Sequence, residues 1–253
     1  MRIRVLHQSV ETYAANYIQQ KINSVGASRF VLGLPTGSTA LAMYARLREL
    51  HQQGQLDFQQ IVTFNMDEYV GLPPTHPQSY HYYMEKELFS AVNIPLQNTH
   101  ILNGQADDLQ AECRAYEDAI TQVGGIDLFI GGVGRNGHIA FNEPGTPFDI
   151  RTHLVTLAPA TLKANARFFD NDISRVPTHA LTVGTGTVLD ARELLFMATG
   201  AVKASAVATL AHAPNPDEPL TALKLHPNAL LLADEEAASL LPATLSDVEI
   251  IHE

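Results

Sequence analysis

Short apolar runs recur along this chain with stretches of helical periodicity between them, and no other feature constrains its fold as strongly. Runs at Ile3–Leu6, Phe30–Leu34, Ile61–Asn65, Ile126–Gly131, Ala180–Val183, Leu194–Ala198 and Ala229–Leu232 are apolar without alternation. That is the pattern of strands buried on both faces, as in a parallel sheet covered by crossover helices. Between the first two runs, Ser9 is placed to cap a helix carrying Val10, Tyr13, Ala14, Tyr17, Ile18 and Ile22 on one face. Ala40, Met43, Tyr44, Leu47 and Leu50 repeat the spacing after the second run, with Gly54 just past the last turn, and Leu109–Val123 reads as a helix ended by Gly124-Gly125. The proline clusters at 73–74, 144–147 and 214–219 mark loops without a change of composition, so residues 1–253 are expected to form a single α/β domain.

Composition narrows the partners. The chain has 253 residues, 16 Lys+Arg against 27 Asp+Glu, and a formal net charge of −11. An acidic balance repels nucleic acid and anionic membrane surfaces over long range, which leaves a small phosphorylated metabolite as the anionic ligand to consider. With 45% hydrophobic and 17% charged residues the chain is globular. Cys113, the single cysteine, allows no internal disulfide and sits in a helix pattern with no flanking site. The amino terminus has no signal-like apolar run and no stretch approaches the roughly 18 residues of a membrane span. A soluble, unprocessed, cytoplasmic protein is expected.

Ligands in open parallel sheets bind beyond the carboxyl ends of the strands. Those positions hold Thr36-Gly37-Ser38-Thr39, Asp67-Glu68, Gly132–Glu143, Gly184–Thr187 and Gly200–Lys203. The first lies between a strand and a helix, where free backbone N–H groups and hydroxyls can cradle a phosphate; a tight turn with Ser38 or Thr39 as helix cap fits the same residues. Of the Asp67-Glu68 pair, one carboxyl in a desolvated cleft can act as a general base, or one can cap the next helix while the other stays solvated. Arg167 and Lys203 are candidate phosphate ligands.

The glycine-rich segment Gly131-Gly132-Val133-Gly134-Arg135-Asn136-Gly137-His138 contains a literal Gly-x-Gly-x-x-Gly. A dinucleotide site needs a helix opening at the third glycine and an acid about 20 residues on. Here Pro144, Gly145 and Pro147 stop any helix, and Leu157–Lys163 contains no acid. The glycines are instead expected to bring backbone close to a ligand while Asn136, His138 and Glu143 enter one cleft. A histidine with a carboxylate partner suits proton relay near neutral pH. No metal site is expected, since Asp67, His138 and Glu143 lack recognisable ligand spacing and no His-Glu-x-x-His occurs.

Leu32–Thr39, Val62–Leu72, Gly137–Pro144 and Ala166–Phe169 together resemble, in colinear order over residues 28–235, the glucosamine-6-phosphate deaminase family. The resemblance implies a single Rossmann-like α/β domain, a mostly parallel sheet with helices on both faces, and no cofactor. It further implies an amino sugar phosphate as substrate, with glucosamine 6-phosphate and water converted to fructose 6-phosphate and ammonia. That is a hydrolysis at a C–N bond coupled to isomerisation. By the same resemblance, Asp67 is the proton-transfer base and His138, supported by Glu143 and Asn136, is the ring-opening group. Thr36, Gly37, Ser38, Thr39, Arg167 and Lys203 form the phosphate site. A monomer or a homo-oligomer, a hexamer included, is compatible with it.

Asn136 departs from the aspartate of many family members; an amide orients His138 without adding a second negative charge, so an altered pH profile is expected. Allosteric members share an arginine and a lysine, two residues apart, that hold the phosphate of N-acetylglucosamine 6-phosphate at a second site. The matching residues here are His153 and Val155, so that site is expected to be lost unless Arg151 substitutes. Two other readings stand beside the deaminase: a 6-phosphogluconolactonase-like hydrolase and a sugar-phosphate sensor without turnover. The Asn65–Glu68 and Phe141–Pro144 segments argue against the first, and the joint presence of Asp67, His138 and Glu143 against the second. A lid over the cleft is expected within residues 146–177, which are proline-bounded and polar.

Overall fold

The apolar runs form strands because the sheet they build is covered on both sides. The computed structural model describes residues 1–245 and 247–253. In chain order the elements are β1 (Arg2–Leu6), α1 (Val10–Val25), β2 (Phe30–Leu34), α2 (Ser38–Gln52), β3 (Ile61–Asn65), β4 (Asp67–Tyr69), α3 (Tyr80–Glu87), β5 (Thr99–His100) and α4 (Leu109–Gln122). They continue with β6 (Leu128–Gly132), β7 (His153–Thr156), α5 (Pro159–Asn165), β8 (His179–Thr182), α6 (Thr185–Leu189) and β9 (Leu194–Ala198). The last are α7 (Ala204–Ala208), β10 (Ala229–Asp234), α8 (Glu235–Ala238) and β11 (Glu249–His252), with short 3-10 turns between several elements.

Eight strands make one sheet in the order β11-β1-β10-β9-β6-β2-β3-β5, every neighbouring pair parallel. Side chains alternate between two cores. Val31, Phe129 and Phe196 face one side with Tyr116 and Ile120 of α4 and Val207 of α7. Leu32, Leu34, Leu128 and Ile130 face the other with Ile18 of α1 and Met43, Tyr44 and Leu47 of α2. Each such side chain contributes about 1.5–3 kcal/mol when fully buried. Ser9 Oγ accepts from Thr12 N at the start of α1 as expected, and Gly124, at φ 86°, ends the turn after α4.

The winding decides where the site lies. From β2 the chain moves outward to β3 and β5, then returns to lay β6 on the opposite side of β2 and proceeds to β9 and β10. The strand order therefore reverses between β2 and β6, which opens a crevice at their carboxyl ends.

The run at Ala180–Val183 is not in the parallel sheet: β8 is the middle strand of a separate antiparallel sheet, ordered β4-β8-β7. This second sheet covers a third apolar cluster containing Tyr69, Phe141, Leu157, Phe169 and Ala180. As a result Gly184–Thr187 does not follow a strand of the main sheet. It packs beneath the loop at Asp149–Arg151, where Gly186 N donates to Ile150 O at 2.9 Å. None of the strands β4, β5, β7 and β11 contains an apolar run longer than two residues.

Candidate active site

At the reversal between β2 and β6 lies a cleft of about 470 Å³, walled by the ends of β2, β3, β6 and β9 and by α5. Gly37, at φ 94°, occupies the cap position of α2 and makes no side-chain cap bond. Only a residue without a Cβ takes this backbone turn freely. Ser38 and Thr39 are consequently the first helical residues, not caps, and with Thr36 their hydroxyls and the opening N–H groups of α2 line the cleft. Tyr83 and Tyr44 brace the loop from behind, donating to Gly37 O at 2.8 Å and Pro35 O at 2.6 Å.

Three cations face the same space. Lys203 sits on the turn after β9, Arg167 on the turn after α5, and Arg135 in the loop after β6. Among the described residues none of the three forms an ion pair, although most other basic side chains of this acidic chain do. Burial, and then the charge of Arg135, holds the Lys203 ammonium below its usual value. Sequence reasoning passed over Arg135; a cation inside the glycine segment, one residue after Gly134, was the available signal.

The two adjacent acids separate in function. Glu68, only 1% exposed, accepts from the backbone N–H groups of Tyr69, Tyr80 and His81 and from His81 Nδ1 at 2.8 Å. It thereby serves the amino terminus of α3. Asp67 is also buried, at 7% exposure, yet lines the cleft, and among the described residues its Oδ1 has no hydrogen-bond partner. Burial, with the Glu68 charge adding, pushes its carboxyl up to about 8. The solvated second acid considered for this pair is therefore not what the fold produces.

In the same cleft as Asp67, the loop after β6 presents His138. A Cβ at Gly134 would stand 2.3 Å from the His138 ring, so the imidazole can lie against the backbone only where the residue is glycine. Gly131 similarly accommodates the Phe196 ring, while Gly132 and Gly134 both line the cleft, a Cβ on Gly132 meeting no atom within 4 Å. The glycines thus make room for side chains at 131 and 134 and bring backbone to the cleft wall at 132 and 134. His138 Nδ1 lies 3.8 Å from Glu143 Oε2, and Asn136 Nδ2 donates to the same oxygen at 2.6 Å. His138 first, then Asn136 and the Thr161 hydroxyl, hold the Glu143 carboxylate down to about 2 against the effect of its partial burial. Glu143 stands behind His138 and does not itself wall the cleft. Among the described residues no group of three or more His, Cys, Asp or Glu side chains is arranged to hold a metal ion.

Fold and cleft together define an α/β protein whose strand-end cleft gathers a buried carboxyl, a histidine and three cations. The chain belongs to the family described as glucosamine-6-phosphate isomerases/6-phosphogluconolactonase, whose profile matches residues 6–232. It is 52% identical over 243 residues to the glucosamine-6-phosphate deaminase of Drosophila pseudoobscura pseudoobscura, covering 94% of this chain and 89% of the relative. Identity to human glucosamine-6-phosphate deaminase 2 is 50% over 243 residues, or 94% of this chain and 88% of that one. Among solved structures, a monomeric glucosamine-6-phosphate deaminase superposes with a TM-score of 0.90 at 43% identity, covering 95% of this chain and 100% of its own. The 6-phosphogluconolactonase of Thermotoga maritima, at 20% identity with a TM-score of 0.72 over 91% of this chain and 99% of its own, shares the fold.

Proposed function

We propose that the protein converts glucosamine 6-phosphate and water to fructose 6-phosphate and ammonia, a net hydrolysis of the C2–N bond joined to an aldose–ketose isomerisation. The observation that carries this reading is the placing of a buried, unpartnered carboxyl, Asp67, in the same cleft as the His138–Glu143 pair. The phosphate would rest on Thr36–Thr39 at the start of α2, with Arg167 and Lys203 supplying charge. So fixed, the pyranose must open before C2–H becomes acidic, and His138, backed by Glu143, would carry the proton from the C1 hydroxyl to the ring oxygen. Asp67 would then remove the C2 proton and return it to C1. The electron pair moves from C2–H through the enolamine, leaving C1 as CH2OH and C2 as an imine. Water adds to C2, and ammonia departs.

In this reading the chain acts as one domain in the cytoplasm, within amino sugar metabolism, and α5 with the turns up to residue 177 forms a lid that closes over the sugar during ring opening and proton transfer and admits the water that hydrolyses the imine. No cofactor takes part in any step. Ammonia release from glucosamine 6-phosphate, measured beside hydrolysis of 6-phosphogluconolactone, tests the reading. Lactone hydrolysis without ammonia release would replace it.

A further inference from the structure

Helix α5 meets the cleft with Thr161 and Asn165, four residues apart and so on one face. The next face, Leu162 and Ala166, packs into the third apolar cluster. Asn165 Nδ2 donates to the Tyr69 hydroxyl at 2.8 Å, which ties the helix to the strand that carries Asp67. Thr161 Oγ1 donates to Glu143 Oε1 at 2.8 Å, tying the helix to the opposite wall.

The two oxygens of Glu143 are thus divided. Oε2 takes the Asn136 amide and lies 3.8 Å from His138 Nδ1, outside hydrogen-bond reach, while among the described residues Oε1 is held by α5. The terminal torsion of a glutamate is soft, so a carboxylate left with the Asn136 bond alone can pivot about it and change how Oε2 is directed toward His138 at little cost. We propose that Thr161 is a positioning residue: by holding Oε1 it aims Oε2 at His138, so that the carboxylate–imidazole pair is aligned only while α5 is seated. The inference rests on the relay assigned to His138 above. It would make ring opening contingent on the helix that precedes Arg167, and so couple chemistry to engagement of the phosphate.

Thr161→Val removes the hydroxyl while keeping the shape, and Thr161→Ser restores it; Thr161→Ala repeats the test should valine disturb α5. Two readings are taken. In the ligand-free protein, the Glu143 carboxyl is titrated by carbon NMR. His138 is the titratable group facing it, Asn136 and Thr161 being neutral, so loss of a hydrogen bond to the charged form raises its titration in the valine variant and serine lowers it again. In the assay with glucosamine 6-phosphate, kcat falls about tenfold in the valine variant with KM changed less than about twofold, and serine recovers most of it. An effect on KM alone would mean that Thr161 touches substrate, and would overturn the proposal. So would either reading remaining at its wild-type value. If the wild-type protein releases no ammonia, the proposed function fails on its own, and the Glu143 titration still decides the coupling.

Discussion

The imidazole of His138 lies flat against the backbone of Gly134, so closely that one added carbon on that residue would stand 2.3 Å from the ring. Gly134→Ala must therefore displace His138 from Glu143 and from the cleft. A displacement of about 1 Å costs roughly a hundredfold in rate at a reacting centre. The expected result is a folded protein with unchanged circular dichroism and kcat lowered by about that factor; retention of more than half of wild-type turnover would count against the relay.

Asp67→Asn removes the group assigned to the C2 proton but leaves the anion cradle. Deamination and deuterium exchange at C2 should both disappear while phosphate protection of the protein persists. In the wild type the base must be ionised, so kcat/KM should rise with pH, with its half-point near the carboxyl's value of about 8.

The same burial predicts a stability signature. An unfolded aspartate ionises near about 4, whereas the folded one is held to about 8. The folded state therefore bears no charge-burial cost below about pH 4 and loses stability progressively up to about pH 8, which the asparagine variant avoids. Melting temperatures of the two should diverge across that window in favour of Asp67→Asn. An advantage of at least about 1 kcal/mol would appear as about 2–4 °C in a domain of this size. A difference independent of pH would show that Asp67 is not held neutral.

Arg167→Ala and Lys203→Ala should each lower kcat/KM by about 1.5–3 kcal/mol, the range for hydrogen bonds to charged groups. Glucosamine without phosphate should be a very poor substrate. Arg135→Gln should relieve the repulsion on Lys203 and raise the titration of that lysine, detectable by NMR of its Nζ.

If α5 and the turns to residue 177 form a lid, fructose 6-phosphate should raise hydrogen-exchange protection in residues 158–177, and to a smaller extent in β7, which pairs with β8. Equal protection with and without ligand would remove the lid.

Rates should be hyperbolic in glucosamine 6-phosphate and indifferent to N-acetylglucosamine 6-phosphate. By the family resemblance His153 and Val155 match the positions of the cations that hold the acetylated sugar phosphate, and Arg151 is committed elsewhere. Its guanidinium pairs with Glu117 at 2.6 Å and Asp190 at 2.5 Å. A sigmoidal curve made hyperbolic by the acetylated sugar would show that a second site survives.

Much of the frame is legible in the apolar runs because burial on both faces leaves an unambiguous mark. β2, β3 and β9 begin and end where those runs do. β4 is illegible for the opposite reason: Asp67-Glu68-Tyr69 reads as a polar loop, and only the covering sheet makes it a buried strand. β5 is too short to carry a pattern, and β7, none of whose residues is fully buried, shows no apolar face. At the site the motifs are visible at the strand ends, but the division of labour is not. Which of Asp67 and Glu68 meets the cleft depends on the start of α3, where His81 and the N–H groups beside it claim Glu68. Thr161 lies 18 residues from its partner Glu143, and no local spacing announces that pairing.

The position of β1 bears on how the chain reaches this structure. Among the described residues β1 is hydrogen-bonded to β10 and β11, the strands farthest from it in chain order. During translation it therefore waits without a partner while β2, β3, β6 and β9 can already assemble beside one another. Closure of that edge joins residues separated by more than 200 positions, a loop whose entropic cost makes it a late step. Until then the apolar residues Ile3 and Val5 remain available to chaperones, or to the same strand in a neighbouring nascent chain.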